Sequence, residues 1–93
     1  MKYEIHYTAT YRRDLKRIAK RGLDLSLLKE VITQLAEGKK LDTKYRDHEL
    51  TGTYKRRREC HIQPDWLLIY EYDRGNLILI LTRTGTHSDL FDK

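Results

Sequence analysis

A chain of 93 residues is enough for one domain, near the lower limit at which a hydrophobic core holds without staples. Its single cysteine, Cys60, rules out an intramolecular disulfide and a cysteine-rich zinc site, which fits a cytosolic setting. With 19 Lys plus Arg against 14 Asp plus Glu, the net charge of +5 favours a polyanionic partner, and no leader or membrane-spanning run is visible.

Residues 2–8 alternate large and polar side chains and predict an opening strand. Thr8 or Thr10 caps a first helix whose apolar positions Tyr11, Leu15, Ile18 and Ala19 follow helical spacing, with Gly22 as its stop. Asp24 caps a second helix carrying Leu27, Leu28, Val31, Ile32 and Leu35 on one face and ending at Gly38. The short link between them predicts an antiparallel helical pair. Residues 39–49 have no clear period and read as a loop. Strands follow over Leu50–Tyr54, Arg57–Gln63, Trp66–Tyr72 and Leu77–Thr84, joined by turns at Pro64-Asp65 and Asp73–Asn76. Residues 1–93 thus form a single α+β domain of order β-α-α-β-β-β-β, a mainly antiparallel sheet with a two-helix hairpin on one face and room for a short C-terminal helical turn.

The turns set an expected register. A four-residue loop at 73–76 pairs Tyr72 with Leu77 and Trp66 with Arg83, and a two-residue loop at 64–65 pairs Gln63 with Trp66 and His61 with Leu68. Alternation then puts His61, Trp66 and Arg83 on one face, and Cys60, Ile62, Leu67, Ile69, Ile78 and Ile80 on the face that meets the helices. Asp65 and His87 lie at the same end of the sheet, with His48 in the preceding loop within reach.

That set suits cleavage of RNA. The attacking 2′-hydroxyl must lose a proton and the departing 5′-oxygen must gain one, and two groups titrating near neutrality each supply about 10²–10⁴-fold. Arg83 would hold the charge that builds on the phosphorus, and Trp66 or a tyrosine would stack a splayed base. No metal or other cofactor is needed, and the products are a 2′,3′-cyclic phosphate and a 5′-hydroxyl.

Tyr45-Arg46-Asp47-His48-Glu49-Leu50, Gly52, Arg58-Glu59-Cys60-His61-Ile62, Pro64-Asp65-Trp66-Leu67-Leu68-Ile69-Tyr70 and Arg83-Thr84-Gly85-Thr86-His87-Ser88-Asp89-Leu90-Phe91 resemble the YafQ-type bacterial toxins of the RelE/ParE superfamily. The resemblance spans essentially the whole chain and implies a RelE-like fold. It also implies a cytoplasmic mRNA endoribonuclease of a type II toxin–antitoxin system, working on the translating ribosome and held in check by a cognate antitoxin. On matching positions His48, His61, Asp65 and His87 form the acid–base group, with His87 preferred as the acid, and Arg83 stabilises the phosphate. Phe91, Trp66 and Arg58 contact RNA. Arg12, Arg13, Lys16, Arg17 and Lys20 of the first helix offer a surface for ribosomal RNA.

Two other readings share these features. A non-nucleolytic binder of the gyrase-poisoning kind uses a related fold, since fold alone does not fix function. A ribosome-independent RNase is the other. Cutting of mRNA during in-vitro translation, trapping of gyrase on DNA, and cutting of naked RNA separate the three. His6 reads as a surface residue, Cys60 as a small buried hydrophobe, and most tyrosines as packing.

Overall fold

The computed structural model describes residues 1–52 and 56–91. Strand β1 (Glu4–Tyr7) leads into helices α1 (Ala9–Lys20) and α2 (Leu25–Ala36). A 3-10 turn (Thr43–Tyr45), strands β2 (His48–Glu49), β3 (Arg58–Gln63), β4 (Trp66–Asp73) and β5 (Ile78–Gly85), and helix α3 (His87–Phe91) complete the chain. The sheet runs in the order β1-β5-β4-β3-β2, with β1 parallel to β5 and every other pair antiparallel. The α+β order and the helical pair are as the sequence predicts.

Both caps are as read. Thr8 accepts from the Tyr11 amide and Asp24 from the Ser26 amide, each satisfying a first-turn donor that has no partner within its helix. Gly22 and Gly38 close the helices with φ of +76°, where a side chain is strained. The expected strand over Leu50–Tyr54 is corrected: pairing with β3 falls at His48↔Glu59 and Glu49↔Arg58, and residues 53–55 lie outside the described residues.

The register also differs from expectation. Tyr72 pairs with Leu79 rather than Leu77, because the β4–β5 loop is Arg74–Leu77, tightened by the Asp73 carboxylate accepting from the Asn76 amide. Two irregularities then change the parity. Ile62 is extra between His61↔Leu67 and Gln63↔Trp66, and Thr82 is extra between Tyr70↔Leu81 and Ile69↔Arg83. Arg83 therefore lies opposite Ile69, not Trp66, and His61 opposite Leu67, not Leu68.

The helices cover a face built from Cys60, Ile62, Trp66, Leu68, Tyr70, Leu79 and Leu81, against Tyr11, Ile18, Leu28, Val31 and Leu35. Leu67 and Ile69, expected on that face, instead meet Leu90, Leu50 and Phe91 on the other side. Strand β4 is thus covered on both sides, which is why Trp66 to Tyr70 are all buried. Cys60 is buried as expected, and desolvation pushes its thiol far above the ordinary range.

One polar link fixes α1 to the sheet. Asp14, only 1 % exposed, accepts two bonds from Arg83, from Nε at 2.9 Å and from Nη2 at 3.0 Å, and a third from the Thr84 amide at 3.2 Å. A two-pronged guanidinium–carboxylate bond of this kind is strong and directional. Asp14→Ala leaves the guanidinium and the amide without their acceptor, so it is expected to lower unfolding stability by about 3 kcal/mol in urea titration.

Candidate active site

Strand alternation carries Glu59 and His61 of β3 to the face opposite the long helices, where they lie across from Ile69 and Leu67. The β3–β4 turn presents Asp65 at the same end, and α3 starts beside it with His87. The Asp65 Oδ1 accepts both from His87 Nδ1 at 2.6 Å and from the His87 backbone amide at 3.0 Å. His61 Nδ1 lies 3.2 Å from the Pro64 carbonyl, and its ring centroid is 5.8 Å from that of His87. His87 is 47 % exposed and Asp65 66 % exposed, so the pair is open to a large substrate. The sequence expectation that His61, Asp65 and His87 converge is met in this geometry.

Asp65 is held below the ordinary carboxylate range, first by the His87 amide and then by the His87 ring. The sign follows from a depressed folded value. The carboxylate form is favoured at neutral pH, and the link is lost only as pH falls through and below about 4, the usual aspartate range.

His48 reaches the group indirectly. Its Nε2 is 3.0 Å from Glu59 Oε2, and its Nδ1 is 2.7 Å from the Arg46 carbonyl. Glu59 is the site residue that sequence reasoning missed. It is 6 % exposed, and its Oε1 is buried without a hydrogen-bond partner. Its strand position two residues before His61 was the available signal, since i and i+2 share a face. One ligand atom each from Glu59, His61 and His87 lie within 4.8 Å of one another, a span that suits a single cation.

The other expected site residues fall in differing settings. Trp66 is 2 % exposed in the helix-facing core, where its indole donates to Thr84 Oγ1 at 2.9 Å, so stacking on RNA is not what its setting offers. Arg58 turns toward the helices and binds Asp47, which also accepts from Tyr70. Arg58, expected to contact RNA, is thus tied to Asp47 within the fold. Arg83 lies opposite Ile69, in the row on the site's face, with its guanidinium held by Asp14. Phe91 packs half-buried with Leu67, Ile69 and Leu90 on the site's face. On α1, Arg12, Arg13, Lys16 and Lys20 are exposed, whereas Arg17 lies 3.2 Å from Asp89.

The family model described as the bacterial toxin of type II toxin–antitoxin systems, YafQ, matches residues 3–92. The chain belongs to the YafQ family. An mRNA interferase toxin YafQ of Escherichia coli strain K12 is 39 % identical over 89 residues, covering 95 % of each chain. The toxin in the E. coli DinJ-YafQ complex superposes with a TM-score of 0.87 at 37 % identity, over 96 % of this chain and 98 % of that one. A metal-bound toxin from Helicobacter pylori gives a TM-score of 0.90 at 43 % identity, over 96 % and 99 %. In YafQ terms, the fold and the toxin class expected from the sequence both hold. Among the described residues no helix is long and apolar enough to cross a membrane.

Because Trp66 packs inside this YafQ domain, Trp66→Phe is expected to cost about 1–3 kcal/mol in stability through the lost indole bond and volume. RNA cleavage by the folded variant should change less than twofold. A large drop in cleavage at unchanged stability would return Trp66 to the substrate site.

Proposed function

We propose that this chain is an endoribonuclease that cuts mRNA on the translating ribosome, with His61 as the base and His87 as the acid. The observation that carries this reading is the paired setting of the two rings. The Pro64 carbonyl only accepts, so His61 Nδ1 carries the hydrogen and Nε2 keeps a lone pair. Asp65 Oδ1 accepts from His87 Nδ1 and fixes the ring, so Nε2 is the nitrogen that faces the departing oxygen as proton donor.

In the reaction the 2′-hydroxyl gives its proton to His61 Nε2 as its oxygen bonds to phosphorus. The bond from phosphorus to the 5′-oxygen breaks, and that oxygen takes the proton from His87 Nε2. The products are a 2′,3′-cyclic phosphate and a 5′-hydroxyl. His48 and Glu59 form a polar wall behind this pair, and Arg83 supplies positive charge held in plane by Asp14. A pocket of about 380 Å³ opens beside His61 and Pro64, lined also by Leu27, Tyr45 and Arg46, and gives a splayed base the aromatic surface that Trp66 lacks.

The donor set of Glu59, His61 and His87 also fits a cation such as zinc, the class of ligand suggested by the metal-bound relative. Such an ion would occupy imidazole lone pairs and oppose the proton transfers. Exposed Arg12, Arg13, Lys16 and Lys20 offer the ribosomal-RNA surface, and a cognate antitoxin, as in the DinJ-YafQ complex, is the expected inhibitor in the cytoplasm.

His87→Ala is expected to lower single-turnover cleavage of ribosome-bound mRNA by about 10²–10⁴-fold and to abolish growth inhibition. An mRNA with a bridging 5′-sulfur at the scissile bond needs little acid assistance, so it should restore cutting by His87→Ala and not by His61→Ala. Rescue of His61→Ala alone would exchange the two roles.

A further inference from the structure

Helix α3, which carries His87, has only five residues and is too short to be stable by itself. Its first turn is held by a reciprocal cap. The Thr86 amide donates to Asp89 Oδ2 at 3.0 Å, and the Asp89 amide donates to Thr86 Oγ1 at 3.1 Å, the pattern of a capping box with aspartate at its third position. The same carboxylate is gripped from α1. Arg21 donates from Nη1 to Oδ2 at 2.6 Å and from Nη2 to Oδ1 at 3.0 Å, and Arg17 Nη1 lies 3.2 Å from Oδ1.

Asp89 is 10 % exposed although both arginines are more than 40 % exposed. Its packing against the turn before it is tight. A Cβ on Gly85 would fall 2.9 Å from both Asp89 Cβ and Oδ2, so only glycine lets the carboxylate lie there. The arginines therefore meet a carboxylate already fixed by the backbone of α3. The residue after Thr86 is His87, whose own amide donates to Asp65. Any movement of the cap moves that amide and the ring with it.

We propose that Asp89, clamped by Arg21 and Arg17, is a positioning residue that holds His87 against Asp65 and beside His61. The inference rests on His87 as a proton carrier and extends that reading to a device on α1. It gives two of the chain's arginines an internal task, and it makes the end of α1 a support for the reacting end of the sheet. Asp89 does not touch RNA in this scheme; it acts through the placement of α3.

The test compares Asp89→Ala, Asp89→Asn, Arg21→Ala and the double variant Arg21→Ala/Asp89→Ala. Two readouts are used, cleavage of ribosome-bound mRNA and NMR titration of the Asp65 carboxyl. Asp89→Ala should lower kcat by roughly 10- to 100-fold at little-changed KM, the cost of a displaced proton donor. The Asp65 carboxyl should titrate higher, toward the ordinary range, because the His87 amide and ring no longer face it. Asp89→Asn keeps an acceptor for the Thr86 amide and loses the charge on Arg21, so it should fall between Asp89→Ala and wild type.

Adding Arg21→Ala to Asp89→Ala should bring no further loss, since both changes remove one link. Wild-type kcat and unmoved Asp65 titration in Asp89→Ala would overturn the proposal. A further loss in the double variant would also overturn it, because Arg21 would then act on RNA directly. If Asp89→Ala fails to fold, Asp89→Asn and Arg21→Ala decide through the same two readouts. A wild-type chain that cuts no RNA refutes the nuclease reading instead, and the Asp65 titration then decides positioning separately.

Discussion

The reacting end of this molecule depends on where the first amides of α3 find their acceptors. A helix start always has donors without partners inside the helix, and in a five-residue helix these make up most of its amides. Here the Thr86 amide binds Asp89 and the His87 amide binds Asp65. One acceptor comes from the helix itself and the other from the β3–β4 turn, 22 residues earlier in the chain. His87 is thus placed by backbone bonds before its ring makes any contact. The ring then shares the Asp65 oxygen that its own amide uses, which ties its orientation to the same carboxylate. Leu90 and Phe91 seat the rest of α3 on Leu67 and Ile69.

Helix α1 serves as a strut between the two long-range links. Asp14, near its middle, holds the far end of β5 through Arg83 and Thr84, while Arg17 and Arg21 near its end hold α3 through Asp89. The two links alternate in sign along the helix, a carboxylate gripping an arginine and then arginines gripping a carboxylate. A basic composition is therefore not all available to an outside partner. Arg17, Arg21, Arg58 and Arg83 answer acidic groups within the fold. Arg12, Arg13, Lys16 and Lys20 remain on the solvent side of α1, which narrows the surface on which a polyanion can be met.

The elements with strong local signals were legible in the chain. Thr8 and Asp24 cap where their side chains predicted, and apolar spacing marked both long helices. The convergence of His61, Asp65 and His87 was also legible, because turn chemistry at Pro64-Asp65 and the end of β5 brings them to one edge. Trp66 was misread because an unbroken ladder would keep it on the face of His61, whereas the extra Ile62 separates them and leaves Trp66 in the helix-facing core. Glu59 was overlooked because a carboxylate in a strand is ordinarily solvated, and its burial against His48 depends on a two-residue strand with little signal of its own. The Thr86-x-x-Asp89 cap was written in the sequence, but its link to α1 was not.

The sequence by itself determined the two long helices, the opening strand and the three long strands, their order, the family to which the chain belongs and the residue types that can move protons. Tertiary structure decided which side chains share a face. Alternation is a reliable guide only along an unbroken ladder, and one extra residue reverses it. Ile62 does this in β3 and Thr82 in β5, so His61 and Arg83 both leave the face of Trp66 and share that of Leu67 and Ile69. Tertiary structure alone also joined Asp14 to Arg83 and Arg21 to Asp89, partners 69 and 68 residues apart. No local pattern encodes such pairs, because their energy arises only when folding brings the two charges together.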